Sequence, residues 1–108
     1  MNAERNHNTP ESDLINGCID GNRRMQEELY RRFSPRMYAV CLRYATSSEE
    51  AEDILQEGFI KVFKKLGSFR SEGSFEGWVR RIFVNTAIEH FRRKTYQQSI
   101  TEQHENTI

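Results

Sequence analysis

The features of secreted and membrane-spanning proteins are scarce or absent in this sequence. It has only two cysteines, Cys18 and Cys41, and residues 1–10 are polar, without the apolar segment of a secretory signal. Both cysteines lie among apolar residues at helical spacing, which predicts buried free thiols in a reducing compartment. No apolar run approaches the ~20 residues that a bilayer-spanning helix needs. We therefore expect a cytoplasmic protein without a membrane partner.

Patterns typical of enzymes and metal proteins are also missing. The three histidines are scattered, and no Cys/His spacing suits zinc. Gly67, Gly73 and Gly77 follow no predicted strand and precede no Gly-Lys-Ser/Thr, so they do not form a phosphate-binding loop. The acidic run at 49–57 lacks the alternating Asp/Asn ligands and central glycine of a calcium loop. The sequence predicts no enzyme activity, no metal and no cofactor.

The charge of the chain is balanced in total but uneven in distribution. A length of 108 residues suits one domain, and the formal net charge is zero. Residues 49–57 carry five acidic side chains and no basic one, whereas residues 80–94 carry five basic side chains against Glu89 alone. Such asymmetry indicates two different partners or one helix face that pairs with another, although simple solvated faces would give the same pattern.

Apolar residues recur at helical spacing through most of the chain, and no segment shows the period-two alternation of a strand. Ser47 and Glu50 match a capping box, Gly67 is a natural helix end, and Ser74 can cap the last helix. Because proline fits the first turn of a helix, Ser34-Pro35 predicts a new or kinked helix. The predicted helices cover residues 12–20, 22–33, 34–44, 47–66 and 75–94.

The expected fold is all-α, a compact bundle of four to five helices around one core. Residues 1–11 are predicted to be a disordered tail. Residues 12–95 are predicted to form the domain, and residues 96–108 to begin an interdomain linker.

The last predicted helix carries a candidate nucleic-acid surface. At about 100° per residue, Arg81, Asn85, Ile88 and Arg92 fall on one side, outside the main apolar stripe. Arginine neutralises phosphate, and asparagine can donate and accept at one base edge. A helix face that is simply exposed to solvent would carry the same residues, so the spacing alone leaves both interpretations open.

Phe69 is unusual because it lies within the Gly- and Ser-rich segment 67–74. The ring could fold back on the core, against Trp78, which is itself predicted to be a core residue. It could instead form the wall of a pocket for an unstacked base, since base–aromatic stacking contributes ~1–3 kcal/mol per base. Periodicity does not decide between these two positions.

Two segments together resemble a known family. Residues 49–63, EEAEDILQEGFIKVF, resemble the second conserved region of sigma factors. Phe69-Arg70, then FEGWVRRI at 75–82 and NTA at 85–87, are similar to the strand-separating and minus-ten-reading segment of the extracytoplasmic-function (ECF) sigma factors. Residues 14–44 are similar to the two leading helices of the same domain, so the resemblance covers about residues 12–95.

The resemblance implies a transcription initiation factor domain that recognises and melts the promoter minus-ten element. Asp53, Gln56 and Glu57 would dock on the beta-prime clamp helices of core RNA polymerase. The loop and last helix would hold the non-template single strand, and an anti-sigma factor is a further partner that the family admits. The pocket residues implied for the flipped base are Phe69, Ile82 and Asn85; those implied for the DNA backbone are Lys61, Arg80 and Arg81, and the helix spacing adds Arg92.

Two other functions fit parts of the pattern. Members of the family carry a second, helix-turn-helix domain for the minus-thirty-five element, and this sequence ends within the predicted linker. A duplex-binding regulator would need a recognition helix for the major groove, for which the 67–74 segment is a long turn. A protein-interaction module would hold polymerase without touching DNA. Tighter binding to duplex than to single strands would favour the first alternative, and absent DNA binding the second.

Overall fold

The structure, a computed structural model, describes residues 9–107, with side chains described from 9 to 102. Residues 1–8 of the predicted disordered tail and Ile108 lie outside this range. The elements are α1 (Glu11–Ile19), α2 (Arg23–Tyr44), α3 (Ser48–Lys65), a short 3₁₀ turn (Leu66–Ser68) and α4 (Phe75–Thr107). No strand occurs between residues 9 and 107, and the predicted all-α fold is confirmed.

The prediction that a new helix starts at Ser34-Pro35 is wrong, because α2 runs through Pro35 as one helix. Proline inside a helix removes one backbone hydrogen bond and crowds the carbonyl four residues earlier, at a cost of about 3 kcal/mol, so the packing on both sides of Pro35 must offset this cost. Phe33 and Met37 are both buried, which fixes the two halves of the helix to the same core. The guanidinium of Arg36 also donates to the carbonyl oxygen of Arg32 at 3.3 Å, which adds a hydrogen bond to this turn.

Two predicted helix caps are present. The Ser47 hydroxyl accepts from the Glu50 backbone N–H at 3.0 Å, and the Ser74 hydroxyl accepts from the Gly77 N–H at 3.0 Å. The Glu50 carboxylate reaches back to Thr46, accepting from its N–H at 2.6 Å and from its hydroxyl. These bonds, together with nearby Lys94, lower the pKa of Glu50. The start of α3 is thereby fixed against the turn that follows α2.

The core lies where α2, α3 and α4 meet, with α1 packed against α2. Gly58 is buried between α3 and α4, and a Cβ there would lie 2.3 Å from Cε1 of Phe83, so glycine allows the close approach of the two helices. Cys18 and Cys41 are buried free thiols, as predicted, and burial raises the pKa of each to about 11.

Three residues expected on apolar stripes are exposed: Ile19, Tyr44 and Phe91. Helix α4 also continues to Thr107, beyond its predicted end at Lys94. Residues 95–107 contain no glycine or proline, and Gln and Glu are good helix formers, so nothing in the local sequence stops the helix. The second half of α4 has mostly exposed side chains up to residue 102.

Candidate nucleic-acid interface

The loop before α4 is built on an aromatic cluster. The ring of Phe69 lies 5.2 Å from that of Phe75 and 5.3 Å from that of Trp78, which in turn stacks on Phe75 at 5.7 Å. Phe75 is buried, whereas Phe69 and Trp78 are half-buried. Phe69 therefore folds back on Trp78, as one of the two interpretations expected, while both residues stay partly exposed. Trp78 was predicted to be a core residue, but it is only half-buried.

The loop backbone turns through left-handed conformations between Phe69 and Ser74. Gly73 has φ +83°, which glycine adopts freely, and Ser71 has φ +62°. Ser74 then caps α4, so the loop ends on a fixed helix start. This arrangement holds the partly exposed Phe69 beside the first turn of α4.

The predicted DNA residues of α4 lie on its outer side. Arg81 and Asn85 are exposed and form no ion pair or side-chain hydrogen bond with the described part of the chain. Arg80 is also exposed, with its guanidinium 3.6 Å from the Glu76 carboxylate. Ile82 is half-buried and packs against the core. It can therefore anchor α4 to the core and still present part of its side chain to a pocket. Arg81 and Asn85 are thus available to a ligand.

Lys61 and Arg92 lie in different surroundings. The Lys61 ammonium binds the Glu89 carboxylate at 2.6 Å across α3 and α4, and this contact lowers the pKa of Glu89. Lys61, which was predicted to contact the DNA backbone, is therefore already paired with an acidic side chain. Arg92 is exposed, about 17 Å along the helix axis from Arg81, and borders a groove with the end of α2.

The predicted docking residues of α3 differ in availability. Asp53 and Gln56 are exposed, but Glu57 is half-buried because both its carboxylate oxygens accept from Arg93 of α4, at 3.1 and 3.2 Å. Ile60, four residues after Gln56 and therefore on the same side, is 59% exposed. Ile60 was not predicted as a site residue, although its position off the apolar stripe was a usable signal.

A groove lies beside this face of α3 and was not predicted. Tyr30 and Tyr38 of α2 line two adjoining cavities of about 580 and 310 Å³, and the smaller one is also lined by Gln56. The Tyr30 ring packs on Phe59 at 4.6 Å, which holds it between the groove and the core. The surface around Gln56 therefore extends onto α2.

Neither a metal cluster nor a membrane-spanning helix occurs within residues 9–107. No group of three or more His, Cys, Asp or Glu side chains is arranged to hold a metal ion in the described part of the chain. No helix in the same range is long and apolar enough to cross a bilayer.

The family model described as Sigma-70 region 2 matches residues 29–96. The chain is 33% identical over 84 residues to the RNA polymerase sigma-H factor of Pseudomonas aeruginosa, covering 76% of this chain and 44% of that protein. It is 31% identical over 97 residues to the ECF RNA polymerase sigma-E factor of Haemophilus influenzae, covering 86% and 51%. The chain thus spans about half the length of these curated relatives.

A solved structure shares the fold. It is the NMR structure of an engineered region 2 of sigmaE in complex with GTAAAA, with a TM-score of 0.75 and 26% identity. The match covers 90% of this chain and 97% of that one. The resemblance to region 2 of the ECF sigma factors is confirmed, and the chain belongs to the Sigma-70 region 2 family.

Proposed function

We propose that this chain is a promoter-recognition domain of an ECF sigma factor, which docks on core RNA polymerase and binds the non-template strand of the minus-ten element. The observation that carries the proposal is the pairing of the partly exposed aromatic residue Phe69 with the unpaired Arg81 and Asn85 of α4. The likeness to the sigmaE region 2 in complex with GTAAAA supports it. A sigma factor acts where the polymerase is, so the proposal implies a cytoplasmic location.

The chemistry of this surface suits an opened strand. An accessible aromatic ring can stack on any base, an amide reads a base edge, and a guanidinium neutralises phosphate. Helices α3 and α4 do not form the compact helix–turn–helix that a major-groove reader needs, because a nine-residue break, 66–74, separates them. These features favour single-strand recognition over the duplex-binding alternative.

The proposed polymerase surface is the outer side of α3. Asp53 and Gln56 supply polar contacts, and the exposed Ile60 supplies an apolar one, while Gln56 also borders the Tyr30–Tyr38 groove. This combination of an apolar centre with a polar rim is typical of protein interfaces. The proposed partner is the pair of beta-prime clamp helices. An anti-sigma factor is a second partner that family membership suggests.

Reversing the charge of Asp53 should weaken docking without unfolding the domain. We expect Asp53→Lys to reduce the affinity for core polymerase about tenfold, or ~1.4 kcal/mol, because a like charge facing the partner is repelled. Asp53 is exposed and unpaired within the described residues, so the melting temperature should change little. Pull-down and fluorescence anisotropy with core polymerase measure the loss.

Two further variants control this experiment. Asp20→Lys makes the same charge change at the exposed end of α1 and should leave docking unaltered. Glu57→Lys should weaken docking too, but it also breaks the pair with Arg93, an exposed contact that contributes ~0–1 kcal/mol. Wild-type polymerase affinity in both the Asp53 and Glu57 variants would rule out the docking assignment.

A further inference from the structure

A second groove lies away from both the loop and the docking face. It has a volume of about 410 Å³, and its walls come from the end of α2 and the middle of α4. Arg43 and Tyr44 form one side, and Ile88, Phe91 and Arg92 form the other. The rings of Tyr44 and Phe91 are 38% and 56% exposed, although both residues lie at positions where the sequence predicts burial.

The charges at this groove differ from those of the rest of the basic segment. Arg93 is paired with Glu57, and Lys94 lies 3.4 Å from a Glu50 carboxylate oxygen. Arg43 and Arg92 are exposed and have no acidic partner among the described side chains. The two unneutralised guanidiniums therefore flank a groove that also presents aromatic surface. A ligand with both a planar apolar part and a negative charge matches this lining.

We propose that this groove binds a nucleotide of single-stranded DNA, with its base against Tyr44 or Phe91 and its phosphate between Arg43 and Arg92. The inference rests on the proposed function and extends it to the end of α2. Exposed aromatic rings beside cationic side chains are the usual lining of single-strand binding grooves.

The position of the groove supports a continuous strand path. Asn85, Ile88 and Arg92 lie within about 60° of one another around α4, so the groove opens on the side that carries Asn85. Asn85 and Arg92 are about 10 Å apart along the helix axis. A stacked strand rises ~3.4 Å per nucleotide, which places the groove about three nucleotides from the base that Asn85 reads.

The test compares strand lengths. Fluorescein-labelled single strands of about four and about ten nucleotides share the same A-rich centre, and the long one is extended on both sides. Phe91→Ala should weaken binding of the long strand about 5- to 150-fold, the effect of one stacked base, and leave the short strand unaffected. Arg43→Ala should lower the slope of log affinity against log salt by about 0.7 for the long strand only.

Matched controls separate the groove from general effects. Leu42→Ala truncates an exposed apolar residue next to the groove, and Arg24→Ala removes an exposed arginine at the opposite end of α2. Neither should change the affinity for either strand. Because Phe91 and Arg43 are exposed, their variants should keep the wild-type melting temperature, which circular dichroism checks.

The outcomes distinguish this inference from the proposed function. If Asn85→Ala weakens binding but Phe91→Ala and Arg43→Ala match wild type on the long strand, the groove proposal fails and the strand proposal stands. If none of the three variants changes binding of either strand, both fail. If the two groove variants lower core polymerase affinity with DNA binding intact, the groove is a protein-docking surface and the nucleotide proposal is overturned.

Discussion

Truncating Phe59 to alanine should lower the free energy of unfolding by about 3–5 kcal/mol. Phe59 is buried on α3, where its ring lies 4.6 Å from Tyr30 of α2 and 5.0 Å from Phe83 of α4. The variant removes an α3 ring that packs against both α2 and α4, and it leaves a cavity between the three helices. In a small domain this is a large share of the total stability. Urea denaturation followed by circular dichroism measures the destabilisation.

The neighbouring residue offers a control, and Trp78 a contrast. Ile60 follows Phe59 on the same helix but is exposed, so Ile60→Ala should change stability little. Trp78 is half-buried, so Trp78→Ala should cost less than Phe59→Ala, although the sequence predicts a core position for Trp78. Equal denaturation midpoints for the Phe59 and Ile60 variants would contradict the core assignment. Loss of DNA binding in Trp78→Ala at wild-type stability would place Trp78 in the strand site.

Most helix positions were predictable where the local signal and the tertiary structure agree. Ser47 and Ser74 cap α3 and α4 as their positions before apolar stripes indicate. The spacing of Leu29, Phe33 and Met37 likewise corresponds to buried positions on α2. Apolar periodicity reports the inner face of a helix directly, and in a bundle that face meets the other helices.

Errors arose where local rules compete with packing. Pro35 is a helix start by local rules, but burial of the flanking turns keeps α2 continuous. Glu28 is 1% exposed and paired with Arg31 and Arg32, a buried carboxylate that no periodicity argument finds. Phe91 lies on an apolar stripe, yet its side chain is mostly exposed. The stripe shows which face of the helix is apolar, but it does not show whether another helix packs against that face.

Interhelical charge pairs were the least predictable part of the candidate site. The sequence showed an acidic segment and a basic one and left open whether they bind partners or each other. Glu57 with Arg93 and Glu50 with Lys94 show that part of the acidic segment faces the basic one. Other charges of the two segments, among them Asp53 on α3 and Arg81 on α4, are unpaired within the described residues. Which charges pair depends on the register of α3 against α4, and the local sequence does not specify it.

The isolated domain should bind single-stranded DNA more tightly than the same sequence as a duplex. Extracting a base from a duplex costs a few kcal/mol, and an opened strand avoids that cost. The domain offers the partly exposed ring of Phe69 for stacking and the unpaired Arg81 for a phosphate. We therefore expect a preference of about ten- to one-hundredfold, measured with fluorescent oligonucleotides at several salt concentrations.

Asn85 is the residue whose removal should alter base preference. An asparagine contact to a base edge contributes about 1–3 kcal/mol of discrimination, so Asn85→Ala should flatten preference among oligonucleotides more than it lowers mean affinity. Asn85 is exposed and unbonded within residues 9–102, so the variant should fold normally. Asn16→Ala, an exposed asparagine of α1, is the matched control and should bind like wild type.

Phe69 and Arg81 should act differently from Asn85. Phe69→Ala should weaken binding to many sequences alike. Because Phe69 packs on Phe75 and Trp78, the variant should also lose some stability, so its affinity is measured well below its own melting temperature. Arg81→Ala should reduce the slope of log affinity against log salt by about 0.7, the value for a single phosphate on a single strand. Tighter binding to duplex, or an Asn85→Ala variant with unaltered base preference, would contradict capture of an unstacked base and favour a duplex-binding regulator.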